Sequence, residues 1–322
     1  MRGDYYMTEK LFHGYNCFSA ALGQHFLNTN QIKAIDSILI RWTFDFNKQA
    51  LFDEVWSVGA CVEATDYLLQ YDLYNMEGVK VTTHKSTMEE ATKILSEEVE
   101  KLGSHMIMVD FFFMKSIEWD KARRFGYYPK HLPHFVTVTK ETETDVAYQD
   151  PLYRFAGNMS KQDLIKARSS IDCFMDIDFE YYKIEDIGVQ KNYTRKDKIF
   201  NQFYRFINNG QIDMIEKFGS ALKDVKGKMT ITQDFNWIFN VYLALQSVID
   251  MRQNFVGILE KENIELREEL LPLLLKWVSA RLDFLNMYRE KDITNIQNSI
   301  DKIFYLREQE EKFAKAVLKR VE

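Results

Sequence analysis

Little in this chain points to the common specialisations. Three cysteines in 322 residues, odd in number and far apart, build neither a disulfide framework nor a zinc site. No apolar run reaches the roughly 18–20 residues that span a bilayer, so no membrane association is expected. The opening stretch, MRGDYYMTEKLFHGYN, carries acids and no long apolar core. That argues against a signal peptide and makes the cytoplasm the expected location. Basic residues are in deficit, with a net charge of −6, which argues against general nucleic-acid binding. There is no glycine-rich phosphate loop and no dinucleotide fingerprint, so no cofactor is expected. Histidine and the acids never cluster at metal-ligand spacing, so no metal is expected either.

What is present is enough chain for a full core and two domains. The organising stretch is HLPHFVTVTKETETDVAYQDP, residues 131–151. Phe135 to Thr139 is β-branched and aromatic, Val146 and Tyr148 return in the same style, and Lys140–Thr144 makes a polar loop: a β-hairpin. A turn centred on Thr142 sets His134 directly opposite Asp150, within reach of a hydrogen bond. A histidine held by a carboxylate is half of a nucleophile-activating triad.

The best nucleophile lies in HGYNCFSAALGQHFL, residues 13–27. Phe18, Ala21, Leu22 and Phe26 keep helical spacing. Asn16 suits the N-cap, and Gly14 loosens the turn before it. Cys17 then opens the helix, where the dipole and free N–H groups favour a thiolate. A small buried residue at a helix start is an equally good reading of Cys17 by itself. His25 falls two turns further on. His13 lies close enough to reach the thiol or a substrate.

Residues 31–75 read as mostly helical, with Trp42, Phe46 and Trp56 in the core and Cys61 as packing. Residues 79–84 alternate as a strand. Ser86 and Glu89 open an amphipathic helix to residue 102 with a capping box. HMIMVDFFFM, 105–114, is a buried central strand, interrupted by Asp110. That carboxylate needs a partner, either a structural hydrogen bond or an amine substrate. The loop 115–130, with Tyr127 and Tyr128, covers the site. Ser160–Ala167 is a short capped helix, and residues 173–177 alternate as a strand. After about residue 188, helical candidates at 195–208, 211–223, 232–262, 265–290 and 293–320 make a bundle. The domains are therefore 1–188 and 189–322.

A helix-start cysteine facing a histidine on an antiparallel sheet is the papain-like arrangement, which gives an α+β fold class: a papain-like cysteine protease fold followed by an all-α C-terminal region. The triad order is Cys17, His134, Asp150. The Cys17 N–H and the Asn16 side chain are candidate oxyanion donors; the glutamine that papain-like peptidases place before the cysteine is missing.

Three features together resemble the butirosin biosynthesis protein H type of acyltransferase: the cysteine opening an N-terminal helix, the buried strand with VDFFF, and the histidine strand followed by YQDP and a helix ending in KARSS. The resemblance covers roughly residues 10–190. Two positions depart from it: Lys140-Glu141-Thr142 stands where glycine and aspartate are common, and the N-terminal histidine and cysteine are spread out as His13 and Cys17. It implies Cys17 as nucleophile, His134 as base and Asp150 as its orienter. It also implies acyl transfer in antibiotic biosynthesis, from an acyl or peptidyl carrier protein to a small-molecule amine. His13, Asp110 and Tyr128 are the candidate substrate contacts. The alternatives are a cysteine peptidase or amidase with water as acceptor, and a non-catalytic scaffold.

Overall fold

The computed structural model describes residues 11–51, 62–63, 66–124, 130–173, 176–188, 192–228 and 235–322. Trp56, Cys61, Tyr127, Tyr128 and Met175 lie outside the described residues.

The protein is α+β. In chain order the elements are α1 (Cys17–Asn28), α2 (Ile32–Leu39), β1 (Asp45–Phe46), β2 (Val62–Glu63), α3 (Asp66–Asp72), β3 (Val79–His84), α4 (Met88–Leu102), β4 (His105–Asp110), α5 (Trp119–Arg124), β5 (Pro133–Glu141), β6 (Asp145–Asp150), β7 (Phe155–Ser160), α6 (Lys161–Arg168) and β8 (Tyr181–Asp186). The helices α7 (Arg195–Asn208), α8 (Gln211–Lys228), α9 (Asn236–Lys261), α10 (Arg267–Glu290) and α11 (Ile296–Val321) complete it. Among the described residues, no helix is long and apolar enough to cross a membrane.

The chain divides into two compact units, Met1–Ile38 with Leu73–Gly188, and Leu39–Asp72 with Val189–Glu322. The first holds a six-stranded sheet in the order β3-β8-β4-β5-β6-β7, every pairing antiparallel. Alternation along β5 decides what covers each face. Phe135 meets Phe18 of α1 edge-on at 5.3 Å, and the Thr137 hydroxyl donates to the Ala21 carbonyl at 3.0 Å. Val136 and Val138, pointing the other way, join Ile107, Val109, Val146 and Tyr148 against Leu95 and Val99 of α4 and Leu164 and Ala167 of α6. Each such aliphatic side chain contributes about 1.5–3 kcal/mol by leaving water.

The second unit corrects the division at residue 188, because residues 39–72 belong with the C-terminal helices. Trp42, Phe44, Leu51 and Val62 are buried in one core with Phe203, Phe218, Phe255, Trp277 and Phe313. At its centre the Glu310 carboxylate accepts from the Trp42 indole at 2.9 Å, the Trp277 indole at 2.6 Å and Arg252 Nε at 3.0 Å. Arg252 also donates to the Thr43 carbonyl at 2.9 Å, and its guanidinium lies 4.5 Å from the Trp42 ring centre. The five expected C-terminal helices match α7 to α11, apart from their ends.

Several local expectations change. The strand expected over 105–114 stops at Asp110, whose carboxylate accepts from the Phe112 N–H at 3.0 Å and starts a tight turn over Phe111–Phe113. The loop 115–130 contains α5. The capping residue of α4 is Thr87, not Ser86, and it accepts from the Glu90 N–H at 3.3 Å. The stretch 31–75 is broken by β1 and β2. None of the described residues of 173–177 is in a strand, while β7 and β8 are strands where none was expected. Buried Cys173 packs with Met108 and Ile177.

Candidate active site

Local sequence fixes the start of α1. The Asn16 side-chain carbonyl accepts from the Ser19 N–H at 2.8 Å, and the Ser19 hydroxyl accepts from the Asn16 N–H at 3.1 Å. This reciprocal cap makes Cys17 the first helical residue; its N–H has no acceptor within the helix. The segment before it lies flat along the helix. A Cβ on Gly14 would sit 2.3 Å from the Ala20 nitrogen and 2.4 Å from its Cα. Gly14 therefore serves close approach of two backbones rather than looseness of a turn. Gly14→Ala is expected to cost about 1–3 kcal/mol by overpacking and to displace Cys17. Thermal unfolding and the rate of Cys17 alkylation by iodoacetamide should both fall; wild-type values for both would refute this contact.

His134 and Asp150 come together, though not in the expected register. Thr137 pairs with Gln149 and Val138 with Tyr148, where a turn centred on Thr142 would pair Thr137 with Ala147. An irregularity between Val138 and Lys140 contributes to this two-residue shift. A shift of two keeps each side chain on its face, so the pair becomes a diagonal one. His134 Nε2 lies 2.8 Å from Asp150 Oδ2, and both residues are buried. A carboxylate only accepts, so Nε2 carries the proton and Nδ1 is left for the thiol. Cys17, which is half-buried, acts on the His134 ring strongly enough to favour its protonated form. Burial acts to lower the His134 pKa, but the charge and hydrogen bond of Asp150 and the interaction with Cys17 outweigh it and raise the value to about 10. The ring is walled by Phe111 at 4.6 Å and Tyr153 at 5.6 Å.

The other candidates divide. Asn16 stands at the start of α1, with its side-chain carbonyl committed to the cap. His13 is exposed in the segment before α1. Asp110 is fully buried and offers no open carboxylate to a substrate amine. Oδ2 accepts from His131 Nδ1 and from the Ser170 hydroxyl, each at 2.6 Å, and Oδ1 from the Phe112 amide. Tyr128 lies outside the described residues. His131 and Ser170 were missed. The signal was Asp110 itself, since a carboxylate inside an apolar strand needs donors, and the strand before His134 was the nearest source of one.

Two further histidines behave oppositely to His134. Burial lowers His25 to about 4; burial, then the charges of Arg168 and His25, lower His105 to about 3. Both fold as neutral rings, so their contribution is complete above the unfolded value of about 6.5 and is lost as pH falls toward 4 and 3. Each costs about 1.4 kcal/mol per pH unit in that range. His134, raised, contributes fully below about 6.5 and loses that contribution as pH rises toward 10. Stability should therefore peak near pH 6.5. Urea unfolding at pH 5 should give a value about 2–4 kcal/mol below that at pH 6.5, with a shallower acid limb in His105→Gln. A flat profile from pH 5 to 6.5 would contradict the buried neutral rings.

Compared with known proteins, the chain matches no family model and no curated protein.

Proposed function

We propose that this chain is a cysteine acyltransferase that forms amide bonds, and that its first unit is a papain-like catalytic domain. The observation that carries the reading is the line Cys17–His134–Asp150: a helix-start thiol that favours the protonated form of a buried imidazole, itself 2.8 Å from a buried carboxylate. These are the nucleophile, base and orienting roles of a cysteine triad.

The Cys17 thiolate attacks the carbonyl carbon of an acyl thioester carried on an acyl or peptidyl carrier protein. The Cys17 N–H and the Asn16 amide hold the developing oxyanion. The intermediate collapses, the carrier thiol leaves with the proton of His134, and the acyl group stays on Cys17. A small-molecule amine then attacks the acyl-enzyme, the C–S bond breaks, and Cys17 is regenerated beside protonated His134. The resemblance in VDFFF, YQDP and KARSS, together with the phenylalanine and tyrosine walls around His134, supports an acyl donor and an amine acceptor over water.

The test is intact-protein mass spectrometry of the wild-type chain with acyl-pantetheine thioesters, with and without putrescine. An acyl adduct discharged as the amide supports the transferase. Discharge to free acid alone makes the protein a hydrolase with the same triad. No adduct with any thioester, together with an inert thiol, removes the catalytic reading in favour of a scaffold.

A further inference from the structure

The start of β5 and the residues just before it supply a histidine–carboxylate pair to each side of the same end. His134 reaches across to Asp150 on β6, the neighbour on one side. His131, two residues before β5, reaches Asp110 on β4, the neighbour on the other. Asp110 pairs in register with Pro133, and Val109 with His134. The turn Phe111–Phe113 joins the two pairs: Phe111 packs 4.6 Å from His134, and Phe112 stacks 4.1 Å from His131. The Phe111 N–H is fastened to the Leu132 carbonyl at 2.8 Å, between the two histidines.

The second pair is built with care. Phe112 N–H, Ser170 and His131 Nδ1 all donate to Asp110. The Cys173 thiol nearby stays a thiol, because burial and the Asp110 charge push it up to about 12. With Nδ1–H given to the carboxylate, His131 Nε2 is left as a basic nitrogen. The ring is not sealed in: its side chain is 30% exposed, whereas Asp110 behind it is 0% exposed. Phe113 meets the ring edge-on at 5.9 Å. A purely structural histidine does not require both a buried anion behind it and a part-exposed ring.

The chemistry of the proposed reaction leaves a task for such a group. An aliphatic amine is an ammonium at neutral pH, with a pKa near 10. It must lose two protons to become an amide nitrogen. Water attacking the same acyl-enzyme loses only one to His134. We propose that His131, oriented by Asp110, is a second base that binds the acceptor ammonium and takes the first of those protons. This rests on the acyltransferase reading and assigns the acceptor class as a cationic amine. The ammonium gives one N–H proton to His131 Nε2, and the freed lone pair attacks the thioester carbon. The second N–H proton passes to His134, the C–S electron pair returns to Cys17, and His131 releases its proton to solvent.

Single-turnover measurements separate the steps. Wild type and His131→Gln are first acylated with an acyl-pantetheine thioester, then mixed with putrescine or with buffer alone. His131→Gln is expected to acylate at the wild-type rate and to hydrolyse at the wild-type rate. Its amide-forming discharge should fall about 100-fold at pH 7 and recover toward wild type near pH 10, where free amine needs no first base. Asp110→Asn should move in the same direction, and its acylation rate reports whether it has folded. Equal discharge of wild type and His131→Gln at pH 7 would overturn the assignment, as would a loss that pH does not rescue. Failure of the wild-type chain to acylate would instead remove the acyltransferase reading.

Discussion

Cys17→Ala is expected to leave no acyl adduct, and His134→Ala to slow adduct formation by 10⁴-fold or more, since nucleophile and base act as a unit. Asp150→Asn should be milder. The amide oxygen still accepts from Nε2–H, but the negative charge that holds the His134 proton against burial is gone. The His134 pKa should therefore fall, and the alkaline limb of the acylation profile should move to lower pH. A loss of about 10–100-fold at pH 7 corresponds to the one or two pKa units such a charge supplies. The check is the pre-steady-state acylation rate from pH 5 to 10 for all three variants. An Asp150→Asn profile that superposes on wild type would show that Asp150 does not set the His134 proton affinity.

Glu310→Ala should destabilise the second unit by about 3–5 kcal/mol, the cost of leaving a buried charge without its partner. Three donors converge on this carboxylate, and Arg252 is wholly buried beside it. Arg252 Nη2 already lacks a partner among the described residues, so little else can take up the charge. The double variant Arg252→Leu with Glu310→Leu should be distinctly less harmful than Glu310→Ala, because it removes both charges and restores apolar volume. Urea unfolding followed by tryptophan fluorescence reads this core through Trp42 and Trp277. A double variant no better than the single would mean that the indole hydrogen bonds, rather than the ion pair, carry the effect.

Much of this molecule was legible from residue pattern. The α1 start followed from Asn16 and the spacing of Phe18, Leu22 and Phe26. The pairing of His134 with Asp150 survived a wrong register because the error was even. What escaped was set by contacts between distant residues. Asp110 ended its strand by bonding the Phe112 amide, a local effect that the apolar run FFFM concealed. Its union with His131 and Ser170 joins three separate stretches. β7, FAGNMS, has small and polar residues where strand formers are usual, and pairing with β6 outweighs its weak propensity. Residues 39–72 were assigned by position in the chain, whereas the destination of Trp42 and Phe44 is decided by Phe203, Phe218, Trp277 and Phe313, all more than 150 positions later.

That last arrangement has a consequence during synthesis. The ribosome delivers Trp42 well before Glu310, which follows it 268 positions later, and before Phe313, on which its ring also rests. The aromatic segment around Trp42 must wait through the production of the whole six-stranded sheet, exposed to chaperones and to non-native pairing. The C-terminal helices, for their part, cannot be excised as a self-sufficient module, because a translation product limited to residues 189–322 would be missing the indole that one face of Glu310 and the ring of Phe313 are shaped to receive.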